Sequence, residues 1–118
     1  MGQSTEAELL RVFVGQLDKH GHRPLYEVIV EMARKRGLAG ASVLRGLMGF
    51  GGSGGLHAAN VLRLPEDVPV VIEIIDTPDK ISAFLPGLER LVGKGAITRQ
   101  QVSAIFYRKK PLAAQAGE

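Results

Sequence analysis

The spacing of hydrophobic and polar positions changes several times along the chain, and each change predicts an element. Residues 9–14 alternate, with Leu10, Val12 and Val14 on one face and Leu9, Arg11 and Phe13 on the other, the period-two pattern of a strand. A polar stretch over 15–23 follows. Pro24 is then expected at the first helical position, ahead of the stripe Leu25, Val28, Ile29, Met32 and Ala33. Arg34, Lys35 and Arg36 suit the negative end of a helix dipole, and Gly37 supplies a left-handed stop. Residues 41–48 predict a second strand, with Val43, Arg45 and Leu47 on one face and Ser42, Leu44 and Gly46 on the other.

Five of the seven residues over 49–55 are glycine, a backbone costly to order without a partner or ligand, so a mobile loop is expected there. Residues 56–64 read as a strand leaving the loop, Pro65, Glu66 and Asp67 as a turn, and 68–75 as a central strand in which only Glu73 is charged. Thr77, Pro78 and Asp79 read as an N-cap, a first-position proline and an acidic first turn. They open a helix with the stripe Ile81, Phe84, Leu85, Leu88, Leu91 and Val92. Pro86 removes a backbone donor inside it, predicting a kink or two short helices that end over 93–95. In the last predicted strand Val102, Ala104 and Phe106 alternate with Ser103, Ile105 and Tyr107, ahead of Arg108, Lys109 and Lys110.

The order is strand, helix, strand, repeated once. That pattern predicts an α+β, ferredoxin-like βαββαβ sandwich, an antiparallel sheet with both helices on one face. The opposite face carries enough Leu, Val and Ile to need cover, which predicts a homo-oligomer. A flexible N-terminus over 1–8, one domain over 9–110 and a flexible tail over 111–118 are expected.

Composition narrows the chemistry. The 118 residues suit one domain, and the absence of cysteine excludes thiol chemistry and cysteine-bound zinc. No apolar run is long enough to cross a bilayer and the first residues are polar, so a soluble, cytoplasmic protein is expected. Fifteen Lys and Arg against twelve Asp and Glu give a net charge of only +3, and with four Phe, two Tyr and no Trp this disfavours nucleic acid.

Residues 49–54 satisfy the glycine spacing of a dinucleotide-binding turn, with Glu73 roughly 20 residues on as a ribose acid. No helix of adequate length follows, and Gly55 stands where a phosphate-binding loop has lysine. Arg45 before the loop, Arg63 after it and the basic triplet beyond the last strand bracket an anion site suited to phosphate or carboxylate, or else are solvated strand-end charges. His20 and His22 beside Asp18, with His57, offer a loose metal set as an alternative. An enzyme acting on a phosphorylated or carboxylated metabolite, with Glu73 or His57 as base, is a second alternative. No serine lies in a nucleophile elbow.

The runs Leu10 to Gly15, Pro24 to Glu27, Gly37 to Ala41, Arg45 with Gly46, Gly49 to Gly51, and Val70 to Ile74 resemble the domain-of-unknown-function 190 family, a branch of the PII-like signalling proteins. The resemblance spans nearly the whole chain. It implies a PII-like homotrimer with a T-loop between the second and third strands, here the glycine-rich segment. It also implies adenine-nucleotide binding in clefts between subunits. Ligand contacts would fall at Arg45, Gly49, Gly51, Gly52, Gly54, Arg63, Arg108 and Lys109, and partner contacts at Phe50, Ser53, Gly55 and His57. The relatives' glycine cradle before the second helix is replaced here by Asp76 to Lys80. A membrane partner of the fluoride-exporter type is implied, and a regulatory protein that is not an enzyme.

Overall fold

Long alternating strands carry the architecture. The structure is a computed structural model and describes residues 3–51, 55–58 and 67–107. Its main elements are β1 (Ser4–Gly15), α1 (Leu25–Lys35), β2 (Gly40–Arg45), β3 (Pro69–Asp76), α2 (Pro78–Leu91) and β4 (Ala96–Ile105). The sheet order is β2-β3-β1-β4 with every neighbour antiparallel, which is the ferredoxin-like arrangement expected from the sequence.

Strand register assigns the faces. Val12 lies opposite Ile72 of β3 and Ile97 of β4, so these side chains share the face that the helices cover. There Leu10, Val12, Val14, Val70, Ile72 and Ile74 pack against Leu25, Ile29 and Ala33 of α1 and Ile81, Phe84 and Leu88 of α2. Burying aliphatic and aromatic surface of this kind is the main favourable term in folding. Around the other side of α1, Arg23 and then Lys35 hydrogen-bond Glu31 and hold its carboxyl below the usual carboxylate range. Any stability this gives is present above the ordinary carboxylate value and fades as pH falls through the lowered one, and at so exposed a site it is small.

Several boundaries differ from expectation. β1 starts at Ser4 rather than residue 9, so residues 4–8 are strand where a flexible end was expected. They pair with β4 in register from Ser4 opposite Ile105, and Arg99 grips the Glu8 carboxylate with Nε and Nη2 at 2.7 and 2.9 Å. That ion pair makes a charged residue acceptable on the core side of a strand, and Ser82 of α2 takes a further Arg99 hydrogen bond at 2.9 Å. β4 likewise starts at Ala96, ahead of the expected residue 102, because its polar run of Thr98 to Gln101 lies on an edge strand. Pro24 is the N-cap residue rather than the first helical one. β2 ends at Arg45; Met48–Gly49 instead pairs with His57–Ala58 in a separate short ladder.

α2 runs as one helix through Pro86, so of the expected kink or two short helices the second does not occur. Pro86 is exposed, so its ring faces water; the carbonyl left without its helical donor is that of Ser82, and Arg36 reaches over from the end of α1 to donate to the next carbonyl, Ala83, at 3.0 Å, which braces this turn against α1. Thr77 does occupy the N-cap with Pro78 after it, but its hydroxyl caps nothing. The neighbouring Asp76 does that work: its buried carboxylate accepts from Thr77 N at 2.6 Å and from Ala39 N at 2.9 Å, tying the start of α2 to the α1–β2 connection. Asp76→Ala orphans both amides and should lower unfolding stability by about 1–3 kcal/mol. Chemical denaturation checks this, and a loss below about 0.5 kcal/mol would show that the amides find other partners.

Candidate functional site

At one end of the sheet, the close of β1, the opening of β3, the α2–β4 turn and the first glycines of the β2–β3 connection surround a groove of about 660 Å³. Volumes of this size hold small organic ligands. Phe13, Phe50, Pro69 and Ala96 give it an apolar lining, while Asp18, Asp67 and Lys94 supply its charge.

The walls depend on close backbone approaches. Gly95 has φ +120°, a conformation foreign to side-chain-bearing residues, and an added Cβ would run into the Phe13 carbonyl oxygen. Gly49 sits against the Pro69 ring, with a built Cβ only 2.7 Å from Pro69 Cγ, so the glycine-rich connection can lie flat on the start of β3.

Both carboxylates are occupied by backbone. Asp18 accepts from Gly15 N at 2.9 Å and Asp67 from Leu17 N at 3.0 Å, so together they fix the turn after β1. The Lys94 ammonium lies 3.8 Å from Asp18 but is 81% exposed, which leaves it free to swing toward an anion in the groove. Arg45 does not line the groove; its Nε donates at 2.7 Å to Oε1 of Gln16, the residue after the groove's Gly15. That bond uses one of five guanidinium donors.

The structure brings only some of the expected anion-site residues to the groove. Gly49, Phe50 and Gly51 line the groove, Arg45 does not and bonds Gln16 instead, Gly55 lies in the connection, and His57 pairs through its backbone with Gly49. Gly52, Ser53, Gly54, Arg63, Arg108 and Lys109 fall outside the described residues. Glu73 does not belong to the groove. Its carboxylate is held 2.9 Å from Arg11 Nε on the helix-free sheet face, which removes it as ribose acid or general base. His20 and His22 are exposed around a tight turn at Gly21, and no group of three His, Asp or Glu suited to a metal exists among the described residues. Lys94 and Asp67 were not anticipated. A lysine between two glycines at the exit of α2 was the available signal for the first. Asp67 looked like any turn aspartate, and its role depends on β1 being near.

The fold is one shared with solved PII-like proteins. A solved structure of CPII, a nitrogen regulatory PII-like protein from Thiomonas intermedia bound to ADP, AMP and bicarbonate, superimposes with a TM-score of 0.67 over 88% of this chain and 92% of that one, at 13% identity. Its apo form matches with a TM-score of 0.58 over 89% and 98% of the two chains, at 11% identity. Residues 7–104 match the DUF190 family, described as "Uncharacterized ACR", and the chain belongs to that family. A UPF0166 protein of Aquifex aeolicus is 37% identical over 84% of this chain and 93% of its own length. A UPF0166 protein of Methanocaldococcus jannaschii is 29% identical over 74% and 80%. No helix among the described residues is long and apolar enough to cross a membrane.

Proposed function

We propose that this protein is a homotrimeric PII-like regulator that acts by binding, not by turnover. It takes a small anionic effector, with an adenine nucleotide as the leading candidate, in the groove where a neighbouring subunit completes the cleft. The observation that carries this reading is the groove itself: an apolar pocket bordered by the base of the glycine-rich connection, with Lys94 in its lining and about 660 Å³ of space. ADP and AMP bound to the CPII relative support the choice of nucleotide.

In this reading Arg45, Gly49, Gly51, Gly52, Gly54 and Arg63 contact the effector from one subunit, while Arg108 and Lys109 reach it from the next. Cations from two sources answer a specific need, because Asp18 and Asp67 already place two negative charges in the groove against the single charge of Lys94. Phe50, Ser53, Gly55 and His57 then present the ordered loop, as a T-loop, to a partner on the cytoplasmic side of a membrane, a transporter or channel of the fluoride-exporter type. Ligand contacts made only in the ordered state would shift the loop population and so transmit occupancy.

Thermal unfolding at fixed subunit concentration, against AMP, ADP, ATP, bicarbonate, fluoride and divalent metals, tests this directly. A ligand at about 100 times its Kd stabilises the native state by about 2.7 kcal/mol. Arg45→Ala and Lys94→Ala should each weaken nucleotide binding roughly 10- to 100-fold, the value of a hydrogen bond to a charged group, without lowering stability of the free protein. Nucleotide binding that ignores both substitutions would move the site elsewhere.

A further inference from the structure

The charges that line the groove differ in how firmly they are held. Asp18 Oδ2 accepts from Gly15 N at 2.9 Å and Asp67 Oδ1 from Leu17 N at 3.0 Å. Asp67 also packs against Gly15, where an added Cβ would run into its carboxylate. Both carboxylates are therefore anchored on the same turn after β1, and the Asp18 side chain is only 15% exposed. Lys94, the one cation among the described lining residues, is 81% exposed between two glycines and lies 3.8 Å from Asp18. The described lining thus sets two fixed negative charges against one positive charge that can move.

We infer that the Asp18–Asp67 pair is the specificity determinant of the groove: it limits how many phosphate charges an effector can bring, so that mono- and diphosphates are taken and triphosphates are rejected. This rests on the nucleotide reading above and names the residues that choose among such effectors. A turn after a strand needs acceptors for its amides, but a neutral Asn supplies them as well. Two charged acceptors on the wall of a groove that takes an anion are more than the turn requires.

Lys94 can swing toward one phosphate. Each further phosphate adds charge that either finds another cation or faces a carboxylate that cannot turn away. Taken as a sphere, a groove of about 660 Å³ is roughly 11 Å across, so a ligand at its centre lies within the Debye length of about 8 Å from both wall carboxylates. Salt at physiological strength therefore leaves much of the repulsion in place. Cations from a neighbouring subunit raise affinity for every phosphate, and the carboxylates set how far that extends. Selectivity of this kind comes from a repulsive element and not from an added contact.

Titration calorimetry of the full chain with AMP, ADP and ATP, in buffer held free of divalent metals by a chelator, tests this with three variants. Wild type should bind AMP and ADP at least 10-fold more tightly than ATP, and the preference should shrink as salt is raised. Asp67→Asn should narrow it roughly 10-fold, and Asp18→Asn, which also frees Lys94, by at least as much. Asn keeps the carbonyl oxygen each amide needs, so denaturation midpoints should stay near wild type. Asp79→Asn, exposed in the first turn of α2 at the opposite end of β3 from the groove, should leave the preference unchanged. ATP bound as tightly as AMP by wild type, or a preference unmoved by salt, would overturn the inference. So would Asn variants that weaken all three nucleotides alike, or an Asp79→Asn effect as large as theirs. Each of these leaves the nucleotide reading standing, whereas binding of none of the three by wild type or the Asn variants would overturn both.

Discussion

Phe84→Ala should cost about 3–5 kcal/mol of unfolding free energy, among the largest losses available from one substitution in this chain. Phe84 is 1% exposed and packs from the middle of α2 into the cluster formed by both helices and the central strands. Truncation leaves a ring-sized cavity in surroundings that close on it only partly. It also deprives Arg36 of the ring its guanidinium carbon covers at 5.8 Å, loosening the junction where Arg36 braces α2 near Pro86. Denaturant unfolding at fixed subunit concentration reads the effect. A loss under about 1 kcal/mol would mean that the helices do not pack on the sheet as described.

Gly95→Ala should cost about 2–3 kcal/mol, while Gly93→Ala, two residues earlier, should change stability by less than about 0.5 kcal/mol. The contrast isolates a cause. An added Cβ at Gly93 meets nothing within 4 Å, whereas at Gly95 it meets the Phe13 carbonyl on a backbone held at φ +120°. The strained turn must move away from β1 and carry Lys94 with it, so Gly95→Ala should also weaken effector binding. Equal effects of the two substitutions in denaturation would contradict the close approach that shapes this wall of the groove.

The elements most legible in the sequence were those whose pattern reflects burial by a single layer. α1 and β3 owe their visibility to the core they face: Leu25, Ile29 and Ala33 of the expected α1 stripe are buried, and the apolar run over 68–75 marked β3 without assigning its faces. Where side chains are satisfied by distant partners, periodicity was a poor guide. Glu8 looked like a solvated terminus because nothing nearby in sequence shows that Arg99 waits across β4. Thr98 to Gln101 looked like a polar connection because an edge strand needs no apolar alternation to pair. Pro86 looked like a break because the sequence does not show that it faces water or that Arg36 reaches its turn. The same distinction applies to the site. The glycines and Arg45 could be singled out by composition, whereas Asp18, Asp67 and Lys94 meet only because β1, β3 and the α2–β4 turn end at the same place.

The measurement that bears most directly on the central claim is a calorimetric titration of the assembled wild-type protein with ADP and AMP, at low and again at high ionic strength. Regulation by an anionic nucleotide in the groove calls for saturable binding with one site per subunit and weaker binding as salt is raised. Absence of binding by either nucleotide at millimolar concentration, from protein that is folded and assembled, would contradict it.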